Sequence, residues 1–427
     1  MKNKHIIAFF ALLLTLCLTA CSGGDVQNNM DTNMNSNISD FVSKSLPATD
    51  QSASFADNLM LLTADDGNRM LSPYSAKMCL ALLANGAEGE TRQQILDVIG
   101  IDDLDVYNAD VKALLARYAT YAGIMSLETA NSLWINQTKF DGKGAFIPDY
   151  QTAMQNYFSA EVREVTSKNS VEEVNAWVKD KTKEKIDSIF TEDHREFSLA
   201  LVNAVYFKAA WENTFSQSLT AKGDFTNMDG NTSRIDFMQS TDDYGYYEGD
   251  GVRAVRIDYS RYGTKDSKDI YAGKDCDFSM YILLCDDSDA TLNVDAFLSE
   301  HAPFSSSYVQ LKMPKFEMEY TVSLVDILKA LGMTDAFDSE KADLSAMIDL
   351  KKLANNLYVS DTLQKTYINV DEKGTEAAAV TAIAVSEASF MVKDEPIEFT
   401  ADKPFYFAVR DNTSGELLFV GRYETVK

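Results

Sequence analysis

The residues with the most to offer chemically in this 427-residue chain form no catalytic set. They are the run Val370 to Val385, VDEKGTEAAAVTAIAV, and what it can do is make backbone hydrogen bonds. Counted in twos from Thr375, one face carries Thr375, Ala377, Ala379, Thr381, Ile383 and Val385. The other carries Glu376, Ala378, Val380, Ala382, Ala384 and Ser386. Strand side chains alternate between faces, so the first set could lie beneath a covering layer while Glu376 puts the one charge on the opposite side. The run leads into a polar stretch, Ser386 to Glu395, that reads as an exposed loop. A segment that suits both a loop and a central strand is a candidate switch. The same letters also suit a helix or an ordinary buried strand, since alanine is the best helix former, although Thr, Val and Ile dilute it.

The usual catalytic groups are sparse. Beyond the first twenty residues the histidines are His194 and His301, and neither lies in an HExxH pair. No GxSxG elbow, phosphate-binding glycine loop or dinucleotide fingerprint occurs. A Ser-His-Asp hydrolase would have to use one of those two histidines, both set in polar, loop-like sequence. Cys79, Cys276 and Cys285 lack metal-ligand spacing and read as small buried hydrophobes. A net charge of −26 argues against nucleic acid and polyanionic cofactors, which need a Lys/Arg surface. The densest basic stretch, KDKTKEK from Lys179 to Lys185, is diluted by acids in a helical pattern and reads as a solvated face. No cofactor, metal or enzymatic activity is expected.

The elements that must position the switch come from the rest of the chain. Lys2, Lys4 and His5 form a basic head, Ile6 to Leu18 an apolar run too short for a comfortable span, and Leu18-Thr19-Ala20-Cys21 resembles a bacterial lipobox. That resemblance implies a leader of residues 1–20, cut before Cys21, whose thiol carries lipid and anchors the chain to a bacterial membrane, the outer one, facing periplasm or cell surface. Residues 21–49 are rich in Asn, Ser, Asp and Gly, a flexible tether spanning roughly 30 Å. Residues 50–427 have regular apolar content, few prolines and no repeat, and read as one large domain.

Within that domain eight blocks occur in a telling order: SFADNLMLL (54–62), GNRMLSPYSAKMCLALLANGAEGETRQQI (67–95), ANSLWI (130–135), VNAWVKDKTKEKI (174–186), LVNAVYFKAAWENTF (201–215), VQLKMPKFEMEYTVSLVDILKALGMTDAF (309–337) with ADLSAM (342–347), DEKGTEAAAVTA (371–382) and KPFYFAVRDNTSGELLFVGRY (403–423). Together they resemble the serpin family. The resemblance implies an α+β fold of three β-sheets and eight or nine helices, with a reactive loop offered to a protease and able to enter the central sheet as a new strand. Roughly 14 inserted residues at ~0.5–1.5 kcal/mol per net hydrogen bond would release on the order of 7–20 kcal/mol. That rivals the ~5–15 kcal/mol stability of an ordinary domain, so the uncleaved form would be held kinetically.

The resemblance also assigns parts. Glu372, Gly374, Thr375, Glu376, Ala377, Ala378 and Ala379 match the mobile hinge, Ser72, Ser75 and Asn203 the shutter where the sheet parts, and Trp211 the breach where insertion begins. Ser72-Pro73 could equally start a helix, and Trp211 could be plain core. A histidine is common in the family about ten residues before the hinge glycine; Gln364 stands here and can still donate and accept. Family loop length puts the reactive bond between Ala388 and Ser389, which suits an elastase-type pocket; Phe390 or Met391 would suit a chymotrypsin-like one. The implied partners are serine proteases, with papain-type cysteine proteases as a second class, met by a monomer. The alternative is a non-inhibitory serpin acting as a surface binding module.

Overall fold

The computed structural model describes residues 53–63, 67–143, 145–260, 277–302, 304–350, 353, 355–375 and 395–426. The leader, Cys21, the tether and Cys276 lie outside the described residues. So do Glu376, Ala377, Ala378 and Ala379 of the hinge, and Ala388, Ser389, Phe390 and Met391 of both reactive-bond assignments.

The described residues begin with α1 (Phe55–Leu62), β1 (Arg69–Leu71), α2 (Pro73–Gly86), α3 (Gly89–Ile99) and α4 (Leu104–Ala119). Then come β2 (Met125–Asn136), α5 (Pro148–Phe158), β3 (Glu161–Val165), α6 (Ser170–Lys181) and β4 (Leu199–Ala210). β5 (Ala221–Thr226), β6 (Thr232–Gly249), β7 (Val252–Asp258) and β8 (Phe278–Cys285) lead to α7 (Val294–His301), β9 (Ser305–Pro314), β10 (Phe316–Ser323) and α8 (Val325–Ala330). The last stretch holds β11 (Val359–Asp371), the two-residue β12 (Gly374–Thr375), β13 (Ile397–Thr400), β14 (Phe405–Asp411) and β15 (Leu417–Tyr423).

The expected α+β architecture is present, with eight α-helices among the described residues. The central sheet runs β10-β11-β12-β4-β2-β3. The other two sheets are joined through the 18-residue β6. Its earlier part pairs β5 and β9, with β13 beyond, while Gly245 to Gly249 open the run β7-β8-β14-β15-β1.

The strand that organises the central sheet is β4, LALVNAVYFKAA, buried along nearly its whole length. A strand covered on both faces needs apolar residues at odd and even positions alike. Leu199, Leu201, Val205 and Phe207 join the main core with α2; Ala200, Val202, Ala204 and Tyr206 join a second cluster beneath Trp177 and Val178 of α6. The resemblance implies the first two helices in the blocks 54–62 and 67–95 and a further helix in 174–186, and two of these expectations change. The block 67–95 opens with strand β1 before α2 begins. The helix expected across 174–186 stops at Lys181, because Lys183 (φ 53°) and Glu184 (φ 63°) turn left-handed and close a C-cap, with Glu184 N–H donating to Lys179 O at 2.8 Å. Residues 182–190 then leave the helix axis and cross the sheet.

Candidate functional site

β4 and β11 meet in two different ways along their length. From Val359 to Tyr367, β11 pairs directly with Leu199 to Tyr206 in a parallel ladder. Above that point the strands part, and β12 fills the gap. Gly374 lies opposite Asp371 of β11 and Ala210 of β4, and Thr375 opposite Val370 and Ala209, antiparallel to both. The first two residues of the alternating run therefore already occupy a wedge at one end of the sheet. The strand character expected for the run holds for these two, and residues 376–385 lie outside the described residues.

The wedge is tightly held. Gly374 has φ +155°, and a Cβ there would meet the Ala209 carbonyl oxygen at 2.1 Å, so no side chain fits. Thr375 is fully buried, its hydroxyl 2.6 Å from Tyr259 Oη. Tyr259 stacks on Trp211 at 4.7 Å between ring centroids. Trp211 is core, as one reading of the sequence had it, and it also works on the hinge. Its Nε1–H donates to Asp371 O at 2.9 Å and its backbone N–H to Lys373 O at 3.0 Å. Phe215 N–H donates to Glu372 O at 2.8 Å. The buried Glu372 carboxylate pairs with Lys315 Nζ at 2.9 Å and accepts from Thr220 Oγ1 at 2.8 Å. Burial pushes this carboxyl up, but Lys315, its own amide and Thr220 together outweigh burial and hold it below the usual carboxylate range.

At the closed end, Ser72, Ser75, Asn203 and Gln364 come together as the sequence suggested. Gln364 Oε1 accepts from Ser72 N–H at 2.8 Å, and its Nε2 donates to Ser72 O at 3.0 Å and to Asn203 Oδ1 at 2.7 Å. Asn203 Nδ2 donates to Ser75 Oγ and to Asn131 Oδ1. All are buried. Ser72 does both things the sequence allowed: its Oγ caps α2 by accepting from Ser75 N–H at 3.3 Å, while its backbone grips Gln364. The shutter and hinge groups stay apart, at different heights along one β4–β11 seam.

Sequence reading missed several members of these groups. Asn131 pairs in register with Asn203 across β2 and β4. Its signal was a lone amide on a strand face otherwise carried by Leu133 and Ile135. Thr366, whose hydroxyl donates to Met70 O at 3.0 Å, and the hinge contacts Tyr259, Phe215, Thr220 and Lys315 carried no signal short of the folded topology.

Among the described residues, the other candidate groups are engaged in local contacts. His194 Nδ1 accepts from Thr191 N–H at 3.1 Å inside its own turn, and the His301 ring packs on Tyr247 and Phe297, each at 4.7 Å. Cys79 and Cys285 are free and buried, and burial raises both thiols, that of Cys79 to about 12. Three lysines of 179–185 pair with acids, Lys179 with Asp187, Lys181 with Glu161 and Lys183 with Glu128, and Lys185 lies over the Tyr367 ring. Among the described residues no acid, His or Cys group could hold a metal, and no helix is long and apolar enough to cross a membrane.

Residues 50–426 match the family model described as "Serpin (serine protease inhibitor)". Serpin-Z3 of Arabidopsis thaliana is 32% identical over 378 residues, covering 84% of this chain and 92% of the relative. The native-state structure of the thermophilic serpin tengpin aligns with a TM-score of 0.75 at 28% identity, over 88% of this chain and 92% of that one. Serpin48, described as a highly specific serpin of the insect Tenebrio molitor, aligns with a TM-score of 0.74 at 26% identity, over 87% and 96% of the two chains.

Proposed function

The chain belongs to the serpin family, and from that premise we propose that it is a single-use inhibitor that traps serine proteases as a covalent acyl-enzyme. The target's serine Oγ attacks the Ala388 carbonyl, the Ala388–Ser389 amide breaks, and the amine at Ser389 leaves with a proton. An ester then joins Ala388 to the protease. The freed hinge enters the seam between β4 and β11, carrying the protease with it before water completes hydrolysis. Papain-type cysteine proteases would be caught in the same way through a thioester.

The observation that carries this reading is the register of β12. Continued residue by residue, it would bring each later hinge residue against a compatible pair. Glu376 would meet Lys208 and Asn369, charge against charge. Ala378 would meet Tyr206 and Tyr367, placing a small side chain between two large ones. Thr381 would arrive between Asn203 and Gln364, on the face where their bond lies, so its hydroxyl could replace the contact that insertion breaks. One parallel ladder would give way to two antiparallel ones, a net gain of about one backbone hydrogen bond per inserted residue.

Incubation with pancreatic elastase, chymotrypsin and papain tests the proposal. The expected result is a band at the summed mass that survives boiling in detergent, with a released peptide beginning at Ser389. A chain that is cut without such a band with any of the three is not a trap. A peptide beginning at Met391 would move the reactive bond to Phe390–Met391. We also propose, on the leader sequence, that Cys21 is lipidated and holds the inhibitor at a bacterial outer membrane. Cys21→Ser should move the protein from the membrane to the soluble fraction.

A further inference from the structure

A cleft of about 560 Å³ shares no residue with the hinge or the shutter. It lies among α1, the start of α2, the end of α3, α7 and the turn that joins β14 to β15. Three of its lining residues are acids, Asp97, Asp295 and Glu416, against two cations, Lys77 and Arg410. Both cations have other contacts. Arg410 donates to the carbonyls of Gly415 at 3.2 Å and Leu298 at 3.0 Å, and Lys77 Nζ lies 5.4 Å from the centre of the Tyr107 ring.

A further acid holds two walls of the cleft together. Asp57 of α1 is buried, and its carboxylate caps α7 by accepting from Asp295 N–H at 2.9 Å and Ala296 N–H at 3.0 Å. The hold of α1 on α7 thus passes through a carboxylate that feels the charge of Asp295, and Asp295 in turn acts on Glu416 of the turn. Like charges in series repel, and more strongly out of water. The next acid along, Asp411, is compensated: Arg117 of α4 pairs with it and Tyr118 Oη donates to it at 3.0 Å.

The groups that face Glu416 come from every neighbouring element: Tyr74 and Lys77 of α2, Tyr107 of α4, Asp295 of α7 and Asp411 of β14. Burial above all raises its carboxyl, Lys77 opposes the rise, and Asp295 and Asp411 add to it. Burial likewise raises Asp57, outweighing the two amides it caps. A carboxyl raised in the native state favours the fold when protonated. For Glu416 that contribution is fully present below the ordinary 4.5 and is lost as pH rises through the higher native value.

We propose that this cleft is an acid-relieved joint: the charge that Glu416 takes on as pH rises repels Asp295 and loosens α1 and α7 from the β14–β15 turn, and a proton on Glu416 draws them together. The body is then tightest at this corner in mildly acidic surroundings, and α1 is the element that lets go first at neutral pH. The proposal stands apart from the insertion reading.

The test uses the full chain and reads amide hydrogen exchange along α1 at pH 7.5 and at pH 4.5, in wild type, Glu416→Gln, Asp295→Asn and the double variant. Glu340→Gln, at an exposed position outside the cleft, controls for net charge. At pH 7.5 Glu416→Gln should slow exchange of the α1 amides about tenfold, while amides of β5 and β6 keep wild-type rates. Asp295→Asn should slow them as well, and the double variant should gain no more than Glu416→Gln alone, because the two changes remove one shared repulsion. At pH 4.5 the gap between Glu416→Gln and wild type should shrink to less than threefold. If Glu416→Gln does not fold, Asp295→Asn carries the test against the same control. The proposal is overturned if α1 exchanges in the folded variants as fast as in wild type at pH 7.5. It is equally overturned if the gain persists in full at pH 4.5, if the two single gains add, or if Glu340→Gln slows α1 as much.

Discussion

Two residues carry the tightest constraints. At Gly374 even a methyl group would collide with the Ala209 carbonyl. Gly374→Ala should expel the hinge from the sheet, read as faster cleavage within the loop by a non-target protease such as thermolysin; an unchanged rate would mean the wedge is absent in solution. Glu372 supplies a pH dependence. Its native pKa lies below the ordinary 4.5, so the stability from its Lys315 and Thr220 bonds is fully present above pH 4.5 and is lost as pH falls through the lower native value. Glu372→Gln should speed conversion on warming about tenfold at pH 7, with the difference from wild type shrinking below pH 4.5. Gln364 gives the shutter no titratable group of its own. Gln364→His would add one with an unperturbed pKa near 6.5 whose charged form burial disfavours, so conversion should accelerate as pH falls from about 7.5 to 5.5 in the variant only.

Among the elements, the hinge offered a local signal in its period-two alternation, and of that run the described side chain is Thr375, which is buried. Thr375→Arg would have to force a guanidinium beneath Tyr259, and insertion could not begin. The variant should be cut as a substrate without forming boil-resistant complexes, and a persisting complex would refute entry at β12. The segment 182–190 was illegible for the opposite reason. Lys179 to Lys185 are good helix formers, and nothing local announces that Lys183 and Glu184 turn left-handed so that Ile186, Ile189 and Phe190 can reach the sheet. Asn131 escaped because its partner Asn203 is close only across β2 and β4. The shared strand β6, which joins two of the three sheets, likewise follows from register and not from composition.

At the scale of the molecule, the proposed trap requires a body held short of its most stable arrangement. β4 and β11 are joined by a parallel ladder along most of the seam, buried amides and hydroxyls cross it at Asn203 and Gln364, and two hinge residues, Gly374 and Thr375, already sit at its other end. The net charge of −26 favours solubility and encounter with cationic targets, so association with a basic protease should slow as salt rises. The most direct measurement is the thermal unfolding of the intact chain against the same chain nicked once in its reactive loop. The nicked form should melt tens of degrees higher, because the freed strand completes the central sheet. Equal or lower melting of the nicked form would contradict the stored tension on which the trap depends.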